Sequence, residues 1–185
     1  MIANRKTERL RENLATPLVV RQRPGHPTQG LMRFCGVTIR CALGRRGVSS
    51  RKREGDGATP RATMRIEHGY VRRDRLAAPQ TALALRAIGA DDGWCDAPGD
   101  ANYNRPVRLP FRHSCESMRR NDGLYDICIV LDWNRRPRQR LRGSAIFFHL
   151  ARPGYLPTEG CIAVSPADMR RLLPHLKRGR RIIVR

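Results

Sequence analysis

A mainly β domain with a few short helices is what this sequence predicts. Gly and Pro, 16 and 13 of the 185 residues, are spread along the chain, which is typical of many turns and short strands rather than of a helical bundle. Short apolar runs lie between these breakers, and no segment is repeated. The length suits one domain with a substantial core.

The predicted strands are short and separated by turns. Pro17 to Arg23 forms the first, and the segment 24–30, rich in Pro and Gly, is expected to interrupt the sheet. A hairpin over 31–43 follows and turns at Gly36, because apolar and polar residues alternate along its second arm. Residues 76–88 are expected to form either a short helix or a strand, with a strand at 83–88 favoured. The later strands are expected at residues 124–131, 144–150, 161–164 and 181–184.

Helices and loops account for the remaining residues. A helix is predicted from Ser165, which can cap it, through Pro166 at the first helical position, and Pro174 is expected to kink or shorten its end. One or two helical turns are expected within 114–120. Irregular or charged loops are predicted at residues 44–61, 89–112 and 135–140.

The chain is strongly basic. Lys and Arg number 37 and Asp and Glu 16, so the formal charge is 37 − 16 = +21. Such a field attracts polyanions, whether nucleic acid, anionic lipid or acidic polymers of the cell envelope. No specific nucleic-acid-binding motif is present, and a solvated basic surface without a partner is the alternative interpretation.

The six cysteines do not indicate a metal site. None lies in a CxxC motif, so a zinc ribbon or a thioredoxin-type site is not expected. An even number permits disulfides, but the chain is too long for a small disulfide-dense domain.

The N-terminal residues lack the pattern of a secretory signal. Residues 1–15 are charged and have no apolar core, so we treat 1–16 as a polar arm, either a short helix or disordered, ahead of a domain spanning 17–185. No run is long enough for a transmembrane segment. Either the protein stays in the cytoplasm, or its signal is missing from this start site.

The stretch 143–164 places a histidine and a cysteine where they can meet. Alternation puts Ala145, Phe147 and His149 on one face of a strand, and an eleven-residue loop rich in Pro and Gly leads to Gly160 and Cys161. A thiol with its usual pKa of about 8.5 is mostly protonated at neutral pH, and the thiolate is the nucleophile. His149 is the nearest base in sequence, which predicts the thiolate–imidazolium pair of a cysteine acyl-transfer enzyme.

The residues before the sulfur fit the same chemistry. Gly160 permits a tight turn without a Cβ, and the N–H groups of Gly160 and Cys161 are expected to face a developing oxyanion. Thr158 can support the turn, and Glu159 is expected either to bind an ammonium group or to face water. A small buried thiol and a packed imidazole are the alternative interpretation of Cys161 and His149.

Other motifs accompany this stretch from about residue 17 onwards. They are Cys41-Ala-Leu-Gly, Lys52-Arg-Glu-Gly-Asp-Gly-Ala-Thr-Pro60, Asp92-Gly-Trp-Cys-Asp96, Asn102-Tyr-Asn-Arg-Pro-Val-Arg-Leu-Pro110 and Leu124-Tyr-Asp126. Together with the segments 144–149 and 157–164, they closely resemble the L,D-transpeptidase (YkuD-like) family.

The resemblance implies a mixed β-sandwich or barrel-like fold and a cofactor-free, metal-free cysteine acyl-enzyme. An enzyme of this kind attacks the carbonyl of the third residue, a diamino acid, of a peptidoglycan tetrapeptide stem and releases D-alanine. Transfer to an amine of another stem then gives a 3→3 cross-link. On this chain the resemblance makes Cys161 the nucleophile, His149 the base, and Gly160 and Cys161 the oxyanion donors. It also implies that the protein acts in the periplasm or cell envelope.

Substrate binding is less closely defined by these motifs. The usual family pattern is Ser/Thr-His-Gly-Cys with Arg or Asn two residues after the Cys, whereas this chain has Glu159 and Ala163 at the two variable places. These departures leave open an L,D-carboxypeptidase, a cross-link hydrolase or a non-catalytic basic binding module. The candidate substrate-binding residues are Arg152, Tyr155, Thr158 and Glu159.

The other residues of the resembling motifs have two interpretations. Trp94, Cys95, Asp96, Tyr103 and Asn104 either line the substrate groove or hold a long loop in place. Cys41 and Cys95 are expected to be buried thiols or a structural pair.

Overall fold

The computed structural model describes residues 16–185. The predicted arm therefore lies almost wholly outside the described residues, and its conformation stays a prediction. In chain order the described strands are β1 (Leu18–Arg23), β2 (His26–Phe34), β3 (Val37–Ala42), β4 (Val48–Ser49), β5 (Thr59–Pro60), β6 (Thr63–Val71), β7 (Leu85–Ala87), β8 (Asp92–Cys95), β9 (Arg105–Arg108), β10 (Cys115–Ser117), β11 (Ile127–Leu131), β12 (Phe147–Leu150), β13 (Ile162–Val164) and β14 (Arg181–Val184).

The main sheet closes on itself. Its strands pair in the order β11-β12-β13-β3-β2-β1-β14-β6-β7, and an additional pairing joins β6 back to β11. Nine-residue β6 makes this closure possible, because Met64 pairs with β14 while Tyr70 pairs with β11 and β7. The predicted mainly β, barrel-like fold is confirmed.

Two apolar cores lie on opposite faces of the same strands. The inner core fills the barrel and includes Ile129, Phe148 and Ile162. The outer core includes Phe147 and Cys161. Because successive side chains of a strand point to opposite faces, β11, β12 and β13 are apolar on both sides. Cys161 therefore lies outside the barrel and beneath a second layer.

That second layer is a small antiparallel sheet with the order β10-β8-β9. The ring of Trp94 on β8 meets the ring of Phe147 on β12 edge-on, with centroids 5.0 Å apart. This contact attaches the small sheet to the outer face of the barrel. A two-stranded parallel pair, β4 and β5, lies within the loop predicted at 44–61.

Most of the predicted elements are confirmed. The first strand, the hairpin at Gly36 and the strands around 83–88, 124–131, 144–150, 161–164 and 181–184 all occur, several with shorter bounds. The helix α1 (Pro166–Leu172) starts as predicted, with Ser165 Oγ accepting a hydrogen bond from the Asp168 N–H at 3.1 Å. A 3₁₀ turn at Leu173–His175, containing Pro174, follows it, and another 3₁₀ turn lies at Pro153–Tyr155.

Three predictions of secondary structure were wrong. Segment 24–30 does not interrupt the sheet, because the turn takes only two residues and Arg23 already pairs with His26. The helical turns expected at 114–120 are instead strand β10, which is held by its pairing with β8. The loop 89–112 contains β8 and β9, which are stabilised by pairing with each other.

Strand β6 had no counterpart in the prediction, although its sequence carries a signal. Met64 and Ile66 are buried and alternate with exposed Arg65 and partly exposed Glu67. This period of two is the pattern of a strand with one buried face.

Candidate active site

Cys161 and His149 share a cleft of about 400 Å³ between the outer face of the barrel and the small sheet. Segment 144–145 and β12 form one side and loop 152–161 another, while the small sheet contributes Asp96 and Glu116. The cleft is also lined by Lys52, Glu54, Gly55, Arg120, Leu124, Tyr125, Leu156 and Pro157.

The thiol of Cys161 is held by the backbone of the neighbouring segment. Its sulfur accepts a hydrogen bond from the Phe147 N–H at 3.3 Å and donates one to the Ala145 carbonyl at 3.2 Å. Donation to a carbonyl requires the S–H proton, so this geometry belongs to the neutral thiol. The residue is only 7% exposed.

Burial accounts for the protonation of Cys161. It raises the pKa of the thiol to about 12, and the negative charge of Glu116 acts in the same direction. The Phe147 N–H and the ammonium of Lys52 oppose this rise. The expected thiolate–imidazolium pair is therefore not the form that the buried site favours at rest.

His149 is buried and neutral. Its Nδ1 lies 2.8 Å from the carbonyl oxygen of Leu150, which can only accept, so Nδ1 carries the proton and Nε2 has the free lone pair. Burial lowers the pKa of His149 to about 4, although the hydrogen bond to Leu150 partly opposes this. The ring of Tyr125 packs edge-on against the imidazole, with centroids 5.2 Å apart.

The two side chains share a face of the sheet. Ala163 lies opposite His149 in the parallel pairing of β12 and β13, which makes His149 a diagonal neighbour of Cys161. Within residues 16–185 no hydrogen bond joins the imidazole to the sulfur. The predicted common face for Ala145, Phe147 and His149 agrees with their packing outside the barrel.

The turn before the sulfur requires glycine. Gly160 has φ +131°, and a Cβ there would lie 2.8 Å from the carbonyl oxygen of Ala58. Thr158 supports this turn, because its hydroxyl donates to the Cys161 carbonyl at 2.7 Å and accepts from the Gly160 N–H at 3.2 Å. The Gly160 N–H, expected to face an oxyanion, is thus engaged by Thr158. Among residues 16–185 the Cys161 N–H has no acceptor.

Most of the sequence matches one known family. Residues 31–184 match the family model described as the L,D-transpeptidase catalytic domain, YkuD. The chain belongs to this family. Enzymes of the YkuD family depend on a cysteine, and Cys161 is the cysteine of this chain that lines the cleft.

The chain also shows a weak similarity to a solved structure. An L,D-transpeptidase from Mycobacterium smegmatis is 13% identical, with a TM-score of 0.37. The similarity covers 91% of this chain and 58% of that one, so this chain spans little more than half the length of that protein. No curated protein matches the sequence.

Lys52 is one of the cleft residues, with Glu116 and Arg120, that sequence reasoning missed. It comes from the loop between β4 and β5, is 4% exposed, and its Nζ bonds to Asp56 Oδ1 at 2.5 Å. The same Nζ lies 3.4 Å from the point that a Cβ of Gly160 would occupy. The sequence did contain a signal for a special role of Lys52. This residue begins the motif at 52–60, and it is one of few lysines in a chain whose basic residues are nearly all Arg.

The wall formed by the small sheet is acidic. Glu116 accepts hydrogen bonds from the Tyr125 hydroxyl at 2.7 Å and from Arg120 Nη1 at 3.3 Å, and burial raises the pKa of its carboxyl. Asp96 also lines the cleft, and its buried Oδ1 has no hydrogen-bond partner within the described part of the chain. Cationic and anionic groups therefore surround the thiol together.

The motif residues that were expected either to line the substrate groove or to hold a long loop fall into two groups. Asp96 faces the cleft, whereas Trp94 is fully buried and its Nε1 donates to Asn104 Oδ1 at 3.1 Å. The buried Tyr103 donates its hydroxyl to Glu54. Cys41 is packed in the inner core of the barrel, whereas Cys95 lies on β8 of the small sheet outside it, so the two are separate buried thiols and not a structural pair.

The four candidate substrate-binding residues are placed differently. Arg152, Thr158 and Glu159 line the cleft. Tyr155 is not among the lining residues, and its ring instead packs under the guanidinium of Arg40, 5.2 Å from the ring centroid. Glu159 is 74% exposed in its side chain and forms an ion pair with Arg45.

Two further observations concern metals and membranes. Among residues 16–185, no group of three or more His, Cys, Asp or Glu side chains is arranged to hold a metal ion. No helix in that range has the length and apolar character to cross a membrane.

Proposed function

We propose that this chain is a peptidoglycan L,D-transpeptidase that forms 3→3 cross-links through an acyl-enzyme on Cys161. The observation that carries the proposal is the state of His149, whose Nδ1 is committed to Leu150 while its unprotonated Nε2 shares a cleft with the thiol. The free lone pair of Nε2 can accept the thiol proton, but burial makes the resting imidazole a weak base, so substrate binding must raise its pKa from about 4 for proton transfer to become favourable. Membership of the YkuD family supplies the type of reaction.

In the proposed first half-reaction, a tetrapeptide stem places the carbonyl of its third residue against Cys161. The thiol proton passes to Nε2 of His149, directly or through one water, as the sulfur attacks the carbonyl carbon. Hydrogen bonds of this kind commonly tighten only when substrate is bound. The tetrahedral intermediate collapses to a thioester, and D-alanine leaves with the proton returned by His149.

In the second half-reaction, an amine of another stem attacks the thioester carbonyl. His149 accepts the proton of the amine and returns it to the sulfur, which regenerates the neutral thiol. The amide bond of the cross-link forms as the carbon–sulfur bond breaks. Water in place of the amine gives the hydrolytic reaction of an L,D-carboxypeptidase.

Lys52 and Cys161 are the proposed stabilisers of the oxyanion. The Cys161 N–H has no acceptor among the described residues, and the Lys52 ammonium is a buried charge beside Gly160. A fixed charge in a site from which water is excluded acts strongly on a developing negative charge. The Gly160 N–H joins them only if it releases the Thr158 hydroxyl.

The charges of the cleft support a peptide that carries both signs. Asp96 and Glu116 suit an ammonium group such as that of a diamino acid, and Arg120 and Arg152 suit carboxylates. Thr158 acts mainly on the turn, and Glu159 remains the candidate for an acceptor ammonium. We propose no direct substrate contact for Tyr155, because its ring is occupied by Arg40.

The proposal also implies a place in the cell. Peptidoglycan is the partner, so the periplasm or cell envelope is the proposed compartment. The net charge of +21 favours additional electrostatic binding to anionic polymers of the envelope.

The test is turnover of a defined tetrapeptide stem with a diamino acid at its third position. We expect D-alanine release, an intact mass that shows an acyl adduct on Cys161, and a cross-linked dimer. Cys161→Ala is expected to abolish all three, while Cys35→Ser, which replaces a thiol outside the cleft, keeps them.

The products distinguish the alternatives. Tripeptide without dimer would replace the transferase by an L,D-carboxypeptidase with the same nucleophile. Release of a bridging peptide from a preformed dimer would indicate a cross-link hydrolase. Absence of any adduct or product, together with steeply salt-dependent polyanion binding, would favour the non-catalytic basic module.

A further inference from the structure

Cys95 and Cys115 lie directly opposite each other on β8 and β10 of the small sheet. The Asp96 N–H donates to the Ser114 carbonyl at 3.3 Å, and the Met118 N–H donates to the Asp92 carbonyl at 2.9 Å. Hydrogen-bonded and non-hydrogen-bonded pairs alternate along an antiparallel ladder. The pair between Cys95 and Cys115 is therefore a non-hydrogen-bonded one.

This type of pair suits a disulfide. Opposite Cα atoms in non-hydrogen-bonded pairs are about 4.5 Å apart, and their side chains lie on the same face. Disulfides join residues whose Cα atoms are roughly 4.4–6.8 Å apart. Cys95 and Cys115 are free thiols in the structure. A bond between these two thiols needs rotation of their side chains and no new strand register.

The two cysteines lie on the small sheet that forms one wall of the cleft. Trp94 pairs with Glu116 in the same ladder, so Trp94, Glu116 and Asp96 share one face of the small sheet. Asp96 and Glu116 on that face line the cleft. The two cysteines occupy the opposite face, where a bond between them leaves the groups of the cleft free.

We propose that Cys95 and Cys115 form a cross-strand disulfide that fixes the pairing of β8 with β10 behind the acidic wall of the cleft. Cys95 is fully buried and Cys115 half-buried, so Cys115 is the thiol that an external reagent reaches first. Burial raises the pKa of both thiols, which makes the reaction slow at neutral pH and faster in alkali.

The bond forms by exchange with a small disulfide such as oxidised glutathione. The Cys115 thiolate attacks one sulfur of the reagent, which gives a mixed disulfide and releases one glutathione thiolate. The Cys95 thiolate then attacks the Cys115 sulfur and releases the second. The two protein thiols lose two electrons to the reagent, and their two protons end on the two glutathione molecules.

The consequence is a constraint on a long loop. Residues 96–114, which include β9, lie between the two cysteines. Closing a loop of about 20 residues restricts the unfolded chain and raises Tm by roughly 6–12 °C for a protein of this size.

The test uses the full chain, purified with reduced thiols and then equilibrated with oxidised and reduced glutathione. We expect peptide mapping to find a Cys95–Cys115 link, and Tm to be higher in the oxidised protein than in the reduced one. Cys115→Ser, at the half-buried position, is expected to abolish both changes, whereas Cys35→Ser is expected to keep them.

Three outcomes would overturn the proposal. They are alkylation of both thiols in oxidised but folded protein, linkage of either cysteine to a different one, and a Cys95–Cys115 link that leaves Tm unchanged. None of these measurements needs turnover of a stem peptide, so they test the disulfide independently of the proposed function.

Discussion

Phe147 and Cys161 meet across β12 and the start of β13, where the Phe147 nitrogen lies 3.3 Å from the Cys161 sulfur. The same sulfur donates to the Ala145 carbonyl, so one backbone segment both donates to the thiol and accepts from it. A sulfur held in this way rests as a neutral thiol. In the proposed mechanism, substrate binding brings the thiol proton to His149.

The pH dependence of thiol alkylation tests this state. Because the pKa of Cys161 is raised to about 12, its rate of reaction with iodoacetamide is expected to rise about tenfold per pH unit from pH 7 to pH 11 without a plateau. The rate is followed by the mass of the peptide that contains residue 161. His149→Ala is expected to leave this slope unchanged. A plateau near neutral pH that His149→Ala removes would instead show a thiolate–imidazolium pair.

His149 is expected to weaken the fold in acid. The imidazole has a pKa of about 4 in the folded protein and about 6.5 when unfolded, so between these values the unfolded chain binds a proton that the folded chain does not. The free energy of unfolding therefore falls by about 3 kcal/mol as pH drops from 6.5 to 4. In the His149→Gln variant, this part of the decrease in the free energy of unfolding at acid pH is expected to be absent.

Urea denaturation at several pH values measures the effect of His149. The exposed His26, replaced by Gln, controls for the general effect of removing an imidazole. Equal acid losses in wild type and His149→Gln would contradict a buried neutral imidazole.

Lys52 is expected to act on the rate of acylation. Removal of its ammonium in Lys52→Met is expected to slow acylation by a stem peptide about 10²-fold, because a fixed positive charge beside the oxyanion is lost. The measurement is the rate at which the acyl adduct appears by mass. Thermal unfolding of each variant confirms that it folds.

Asp56→Asn is the matched control for Lys52, because it removes the ion pair and keeps the ammonium. If Asp56→Asn slows acylation as much as Lys52→Met, Lys52 only holds the loop. If neither variant changes the rate, Lys52 has no part in the reaction.

Gly160 is expected to tolerate no side chain. Gly160→Ala places a Cβ 2.8 Å from the Ala58 carbonyl oxygen at φ +131°, and it is expected to cost about 2–3 kcal/mol of the free energy of unfolding. Gly25→Ala, at φ +73° with nothing within 4 Å, is expected to cost about 1 kcal/mol or less. Urea denaturation of both variants measures the difference, and equal losses would refute the close contact with Ala58.

The sequence determined the features that depend on neighbouring residues. The hairpin at Gly36 follows from alternation and a glycine, and the start of α1 follows from Ser165 and Pro166. Several short motifs in order along the chain carried the family resemblance, and residues 31–184 match that family. The turn, the cap and each motif can be read locally, because the groups concerned are held close by the covalent chain.

The tertiary structure decided what depends on distant contacts and on burial. Pairing across the chain made β10 a strand, and it turned Asp96 and Glu116 towards the cleft. Closure of the barrel through β6 and β11 built the outer face on which Cys161 is buried, beneath the small sheet. The neutral thiol and neutral imidazole follow from that burial, since desolvation disfavours both charged forms. The approach of Lys52 to Gly160 is also a tertiary feature. Residues so far apart in sequence come into contact only once the whole sheet has formed.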